Sequence, residues 1–69
     1  MNAIKKKMLE MYPLGTKIKL IFMDDIQSPP KGTIGIVVNV DDIGQLIIKW
    51  DNGSSLNLLP ETDLFEIIE

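Results

Sequence analysis

The stretch that most limits what this chain can become is Gln45 to Leu59, Gln-Leu-Ile-Ile-Lys-Trp-Asp-Asn-Gly-Ser-Ser-Leu-Asn-Leu-Leu. Leu46, Ile48 and Trp50 alternate with Gln45, Ile47 and Lys49, a period of two that marks a strand with one buried face. Asp51-Asn52-Gly53 interrupts the alternation, and Leu56 and Leu58 resume it. A two-residue Asn-Gly turn would set Trp50 opposite Ser55 and Ile48 opposite Asn57, mixing apolar and polar partners on one face. A three-residue loop with Gly53 left-handed instead pairs Ile48 with Leu56 and Leu46 with Leu58. The three-residue loop is therefore expected.

The same parity test applies at the preceding turn. Asp42-Ile43-Gly44 as a three-residue loop, with Gly44 left-handed, pairs Val40 with Leu46, Val38 with Ile48 and Ile36 with Trp50, and sets Asp41 opposite Gln45. Upstream, Thr16 to Met23 reads as a strand with Ile18, Leu20 and Phe22 on the core side and Lys17, Lys19, Ile21 and Met23 on the other. Thr33 to Val40 reads as the next, with Ile34, Ile36, Val38 and Val40 toward the core. Gly35, on the opposite side, marks a bend or a close backbone approach. Between these strands, Asp24 to Gly32 is an irregular loop, because Pro29-Pro30 excludes a strand interior. Pro60 to Asp63 forms a turn or a single helical turn, and Phe65 and Ile67 of a last strand return to the core.

Residues 2–12 are expected to form a helix. Ile4, Met8, Met11 and Tyr12 make one stripe, Asn2 caps the start, and Pro13 and Gly15 stop it. Lys5, Lys6 and Lys7 lie in the first turns, where the helix dipole disfavours positive charge, so this helix needs something to pack on. Tyr12 would staple it to the strands. The expectation is a single mainly β domain over residues 1–69: a helix over 2–12, then five short antiparallel strands closing into a small barrel over 15–68.

Composition removes most catalytic possibilities. The 69 residues contain no cysteine, no histidine and no arginine. Disulfides, thiolate zinc sites and the usual general base are thereby excluded, and bidentate phosphate recognition is disfavoured. No apolar run reaches membrane-spanning length and no signal-peptide core is present, so a cytoplasmic protein is expected. The net charge of −3 is unevenly distributed: residues 1–23 carry five lysines and Glu10, whereas residues 24–69 carry two lysines against nine acidic residues.

Tyr12-Pro13-x-Gly15-Thr16, Met23-Asp24-Asp25, Pro30-x-Gly32-Thr33-x-Gly35, Asp41-Asp42-x-Gly44-Gln45 and Trp50-Asp51-Asn52-Gly53-Ser54-Ser55-Leu56 resemble a family of uncharacterised small domains from Gram-positive bacteria, their phages and mobile elements. The resemblance spans residues 12–68, and its Trp-Asp-Asn-Gly-Ser-Ser block is the most specific part. It implies an SH3-like barrel and brings no activity, since the family is a domain of unknown function. The loop before Pro29 is shorter here than the family pattern.

Clusters that resemble chemical sites have simpler roles. Asp24, Asp25, Asp41, Asp42 and Asp51 match no calcium-loop spacing, and aspartate favours turns because it bonds its own backbone. Ser54-Ser55 fits no nucleophile motif, and the glycines fit no phosphate loop. No metal, cofactor or catalysis is expected. Ile21, Met23, Val37, Ile47, Leu59, Leu64 and Ile68 fall opposite the expected core, a second apolar face that points to a homo-oligomer. The expected function is a non-enzymatic binding module, phage- or mobile-element-associated, that engages a host or partner protein stoichiometrically. The alternative is an oligomer that sequesters a nucleotide-like small molecule as a counter-defence sponge. A nucleic-acid-binding barrel comes third, weakened by a pI near 4.7. The candidate surface comprises Lys5, Lys6, Lys7, Tyr12, Lys17, Lys19, Asp24, Asp25 and Trp50, with core packing the favoured role for Trp50 and the helix staple for Tyr12.

Overall fold

The computed structural model describes residues 2–68. One helix, α1 (Ala3–Met11), precedes four strands: β1 (Lys17–Phe22), β2 (Ile34–Val40), β3 (Leu46–Trp50) and β4 (Leu64–Ile67). They form one open antiparallel sheet in the order β3-β2-β1-β4, so the last strand lies beside the first. Ile18, Leu20, Met23, Val37, Val40, Leu46, Ile48, Trp50 and Leu58 make the core.

Asn2 caps α1 as its sequence predicts, its side chain accepting from the Lys5 N–H at 2.7 Å. Tyr12 ends the helix at φ −132° and ψ 76°, outside the helical region, since the residue before a proline is pushed out of it. The buried stripe is rotated from the expected one. Met8, Leu9 and Tyr12 pack on the core, whereas Ile4 and Met11 are exposed. Tyr12 meets Phe65 with ring centroids 5.7 Å apart, tying the helix to β4.

Both glycine turns form as parity requires. Gly44 and Gly53 have φ of +92° and +83°, Asp41 N–H donates to Gln45 O at 3.0 Å, and Val40 pairs with Leu46. The expected fifth strand does not form. Leu58 exchanges two 2.8 Å backbone bonds with Leu46, and that bridge is all that is left of the Leu56–Leu59 strand. The reason lies in Trp50, whose indole N–H donates to Leu56 O at 2.8 Å. This side-chain bond stands in for the ladder bond that Leu56 and Ile48 would share, and the chain between Asp51 and Asn57 bows away.

Strict alternation also fails at two β-bulges. In β2 the register slips at Val38, so Val37, not Val38, pairs with Ile48, and Gly35, not Ile36, pairs with Trp50. In β1 it slips at Ile21, so Phe22 pairs with Leu64 and Met23 turns inward. Each bulge inserts one residue and reverses the facing of its neighbours. Val37 is 1% exposed and Val38 46%; Met23 is 8% exposed and Phe22 56%. The expected core places of Phe22 and Val38 are thus taken by Met23 and Val37. Ile67, also expected inside, is exposed at the sheet edge.

Candidate functional site

Packing decides which face of the sheet stays open. Ile18 and Leu20 point into the core, and α1 lies on that side through Met8, Leu9 and Tyr12. Lys17 and Lys19 alternate with them and so belong to the outer face. Cross-strand register extends this face in rows: Lys49, Ile36 and Lys17 stand side by side, followed by Ile34, Lys19 and Glu66, with Phe22 beside Leu64 beyond. Lys19, Lys49, Glu66, Phe22, Leu64 and the bulged Val38 are exposed; Lys17, Ile34 and Ile36 are half-buried. Lys17 has an interaction of its own.

The candidate surface read from sequence is therefore divided. Lys5, Lys6 and Lys7 belong to α1 on the core side of the sheet, whereas Lys17 and Lys19 lie across it on the outer face. Tyr12 is half-buried against Phe65. Trp50 is 3% exposed with its N–H satisfied, which makes it a core residue and removes it from any surface. Lys49, Phe22, Val38, Ile34 and Ile36 are outer-face residues that sequence reasoning missed, the last four because they were expected toward the core. Lys49 was legible as a solvent-facing position of β3, but only the β2 register brings it level with Lys17.

The clefts that indent the described surface include the following two. One, of about 160 Å³, is lined by Ile4, Met8, Ile43, Gly44, Leu59 and Pro60, with Glu61 and Thr62 at its rim. It lies where the helix start meets the β2–β3 turn, a junction held by the Asn2 side chain donating to Asp42 O at 3.1 Å. The other, of about 230 Å³, collects Met23, Asp24, Asp25, Leu56, Asn57 and Asp63. Both are smaller than the roughly 300–1,000 Å³ of typical small-molecule sites.

Asp25, Asp41 and Asp63 serve their turns. Asp25 Oδ1 accepts from Gln27 N–H at 2.8 Å, and Asp41 Oδ1 accepts from the N–H groups of Ile43 and Gln45. Asp63 Oδ2 accepts from Leu59 N–H, closing the turn that starts β4. Among the described residues, no group of three or more acidic side chains is placed to hold a metal ion. Among the same residues, no helix is long and apolar enough to cross a membrane.

Fold and surface together define a small mainly β domain, one helix packed on one side of an open sheet, with no helix or strand of the described residues across the other side. The family described as Domain of unknown function (DUF4314) matches residues 1–68, a span that includes the helix, and the chain belongs to that family. No curated protein and no solved structure matches it.

Proposed function

We propose that this chain is a non-enzymatic binding module that engages a protein partner stoichiometrically through the outer face of its sheet. One observation carries the reading: the β1 bulge turns Phe22 outward beside its ladder partner Leu64, and the β2 bulge turns Val38 outward at the other end of the same face, across which no helix or strand of the described residues lies. Contiguous exposed apolar surface on a small domain marks an interaction site. A standard interface takes about 800 Å² per partner, against 4536 Å² of surface on this domain. The small size of both clefts supports a protein partner over a nucleotide-like ligand.

The placement of β4 beside β1, with a short turn before it and Leu58 bridged to β3, supports an SH3-like barrel whose fourth strand is reduced to that bridge. A cytoplasmic, phage- or mobile-element-encoded protein acting on a host protein fits the motif resemblance.

The test is capture from bacterial lysate by the wild-type chain and by Leu64→Asp, beside a thermal-shift screen of metabolites. A protein retained near one-to-one by wild type and lost by Leu64→Asp is expected. A nucleotide that raises the melting temperature with no protein retained would overturn the reading, as would any substrate consumed at sub-stoichiometric chain.

A further inference from the structure

Resting on that reading, we infer that the partner's contact surface is acidic as well as apolar, with carboxylates set to meet Lys19 and Lys49. The chain as a whole is acidic, with ten carboxylates against seven lysines. Among the described residues its outer sheet face reverses the sign: three lysines, Lys17, Lys19 and Lys49, share it with one carboxylate, Glu66. Lys19 and Lys49 are its exposed cations. They lie two strands and two residues apart, roughly 12 Å from strand spacing and rise. Half-buried Ile34 and Ile36 lie between them, and exposed Phe22, Leu64 and Val38 flank them.

Charge complementarity chooses among occupants. A second copy docked by the same face would bring lysines against lysines, a juxtaposition that suppresses association. A nucleic acid would gain two or three point charges, with no arginine and only Phe22 as an exposed aromatic on this face, while the acidic remainder repels its backbone. An apolar surface carrying two carboxylates about 12 Å apart satisfies both the lysines and the apolar rows. The charges then set register and encounter rate, and the apolar rows supply most of the affinity.

The probe is a fluorescein-labelled 12-residue peptide of alternating leucine and glutamate, whose i and i+4 carboxylates lie about 13 Å apart when extended. Anisotropy titrations would compare it with the leucine–glutamine peptide and with a labelled dT20 oligonucleotide. The glutamate peptide is expected to bind at least tenfold tighter than the glutamine peptide. It should lose at least tenfold on Lys19→Glu with Lys49→Glu, and several-fold on the milder Lys19→Gln with Lys49→Gln. A Lys6→Glu with Lys7→Glu variant on α1 should stay within twofold of wild type. Equal binding of the two peptides, or indifference to the outer-face pair, would overturn the inference. So would tighter binding of dT20 through the same lysines, or a dimer in light scattering that Lys19→Glu with Lys49→Glu alters. If the captured lysate protein is lost with Leu64→Asp but kept by the lysine variants, the acidic partner is wrong while the protein-binding reading stands.

Discussion

Gly35 sits directly opposite Trp50 in the β2–β3 ladder, and a Cβ added there would lie 2.8 Å from Trp50 Cε3 and collide with Ile48 Cγ2. The glycine is required by the bulk of its neighbours, since the backbone must come close enough for the indole to lie across it. Gly35→Ala should therefore destabilise the domain by about 1–3 kcal/mol, the usual cost of overpacking. Urea unfolding followed by Trp50 fluorescence measures it; an unchanged midpoint would mean that the ring can move aside.

Trp50 also ties down the segment after it. Replacing it with Phe keeps a ring but leaves the half-buried Leu56 carbonyl without its donor, at a cost of about 1–2 kcal/mol. The loss should be local as well as global. Hydrogen exchange at the Leu46 and Leu58 amides, which hold the lone bridge, should quicken more than exchange at the β1–β2 ladder. Uniform acceleration would show that the indole bond does not anchor this segment.

Gly44 and Gly53 occupy equivalent places in their turns but should respond differently to alanine. At Gly53 a Cβ meets nothing within 4 Å, so only the left-handed conformation costs, about 1–2 kcal/mol. At Gly44 the same strain is joined by Ile4 Cγ2 at 2.9 Å. Gly44→Ala should lose more stability than Gly53→Ala and should loosen the start of α1, read as reduced helical circular dichroism. Equal losses would mean that Ile4, which is exposed, swings away freely.

The bulges make opposite predictions for adjacent residues. Val38→Lys and Phe22→Lys should change stability by about 1 kcal/mol or less, as exposed positions do, whereas Val37→Lys and Met23→Lys should cost about 3 kcal/mol or more by burying a charge. The reverse ranking in thermal melts would restore strict alternation and remove the bulges.

Much of the local structure was legible because its causes are local. Asn2 caps the helix through a bond three residues away, and Pro13 ends it by clashing with the residue before it. The loop parities, the left-handed Gly44 and Gly53, and the aspartates bonded to their own turns follow from neighbouring residues alone. The close approach at Gly35 was legible as a need, although not the partner that imposes it.

What the residues by themselves determined is a short capped helix followed by strands and glycine turns in a set order, with an acidic body and no histidine, cysteine or arginine for chemistry. Tertiary structure decided which of two adjacent apolar residues turns inward. Met23 over Phe22 and Val37 over Val38 are choices between side chains of similar hydrophobicity, and they are made by the space beside Trp50, Leu58 and the docked helix. It also decided that Trp50 would bond Leu56 and dissolve a strand, and that Lys49 would stand level with Lys17. Those outcomes depend on contacts between residues far apart in the chain, where a one-residue slip in register changes the face of everything beyond it.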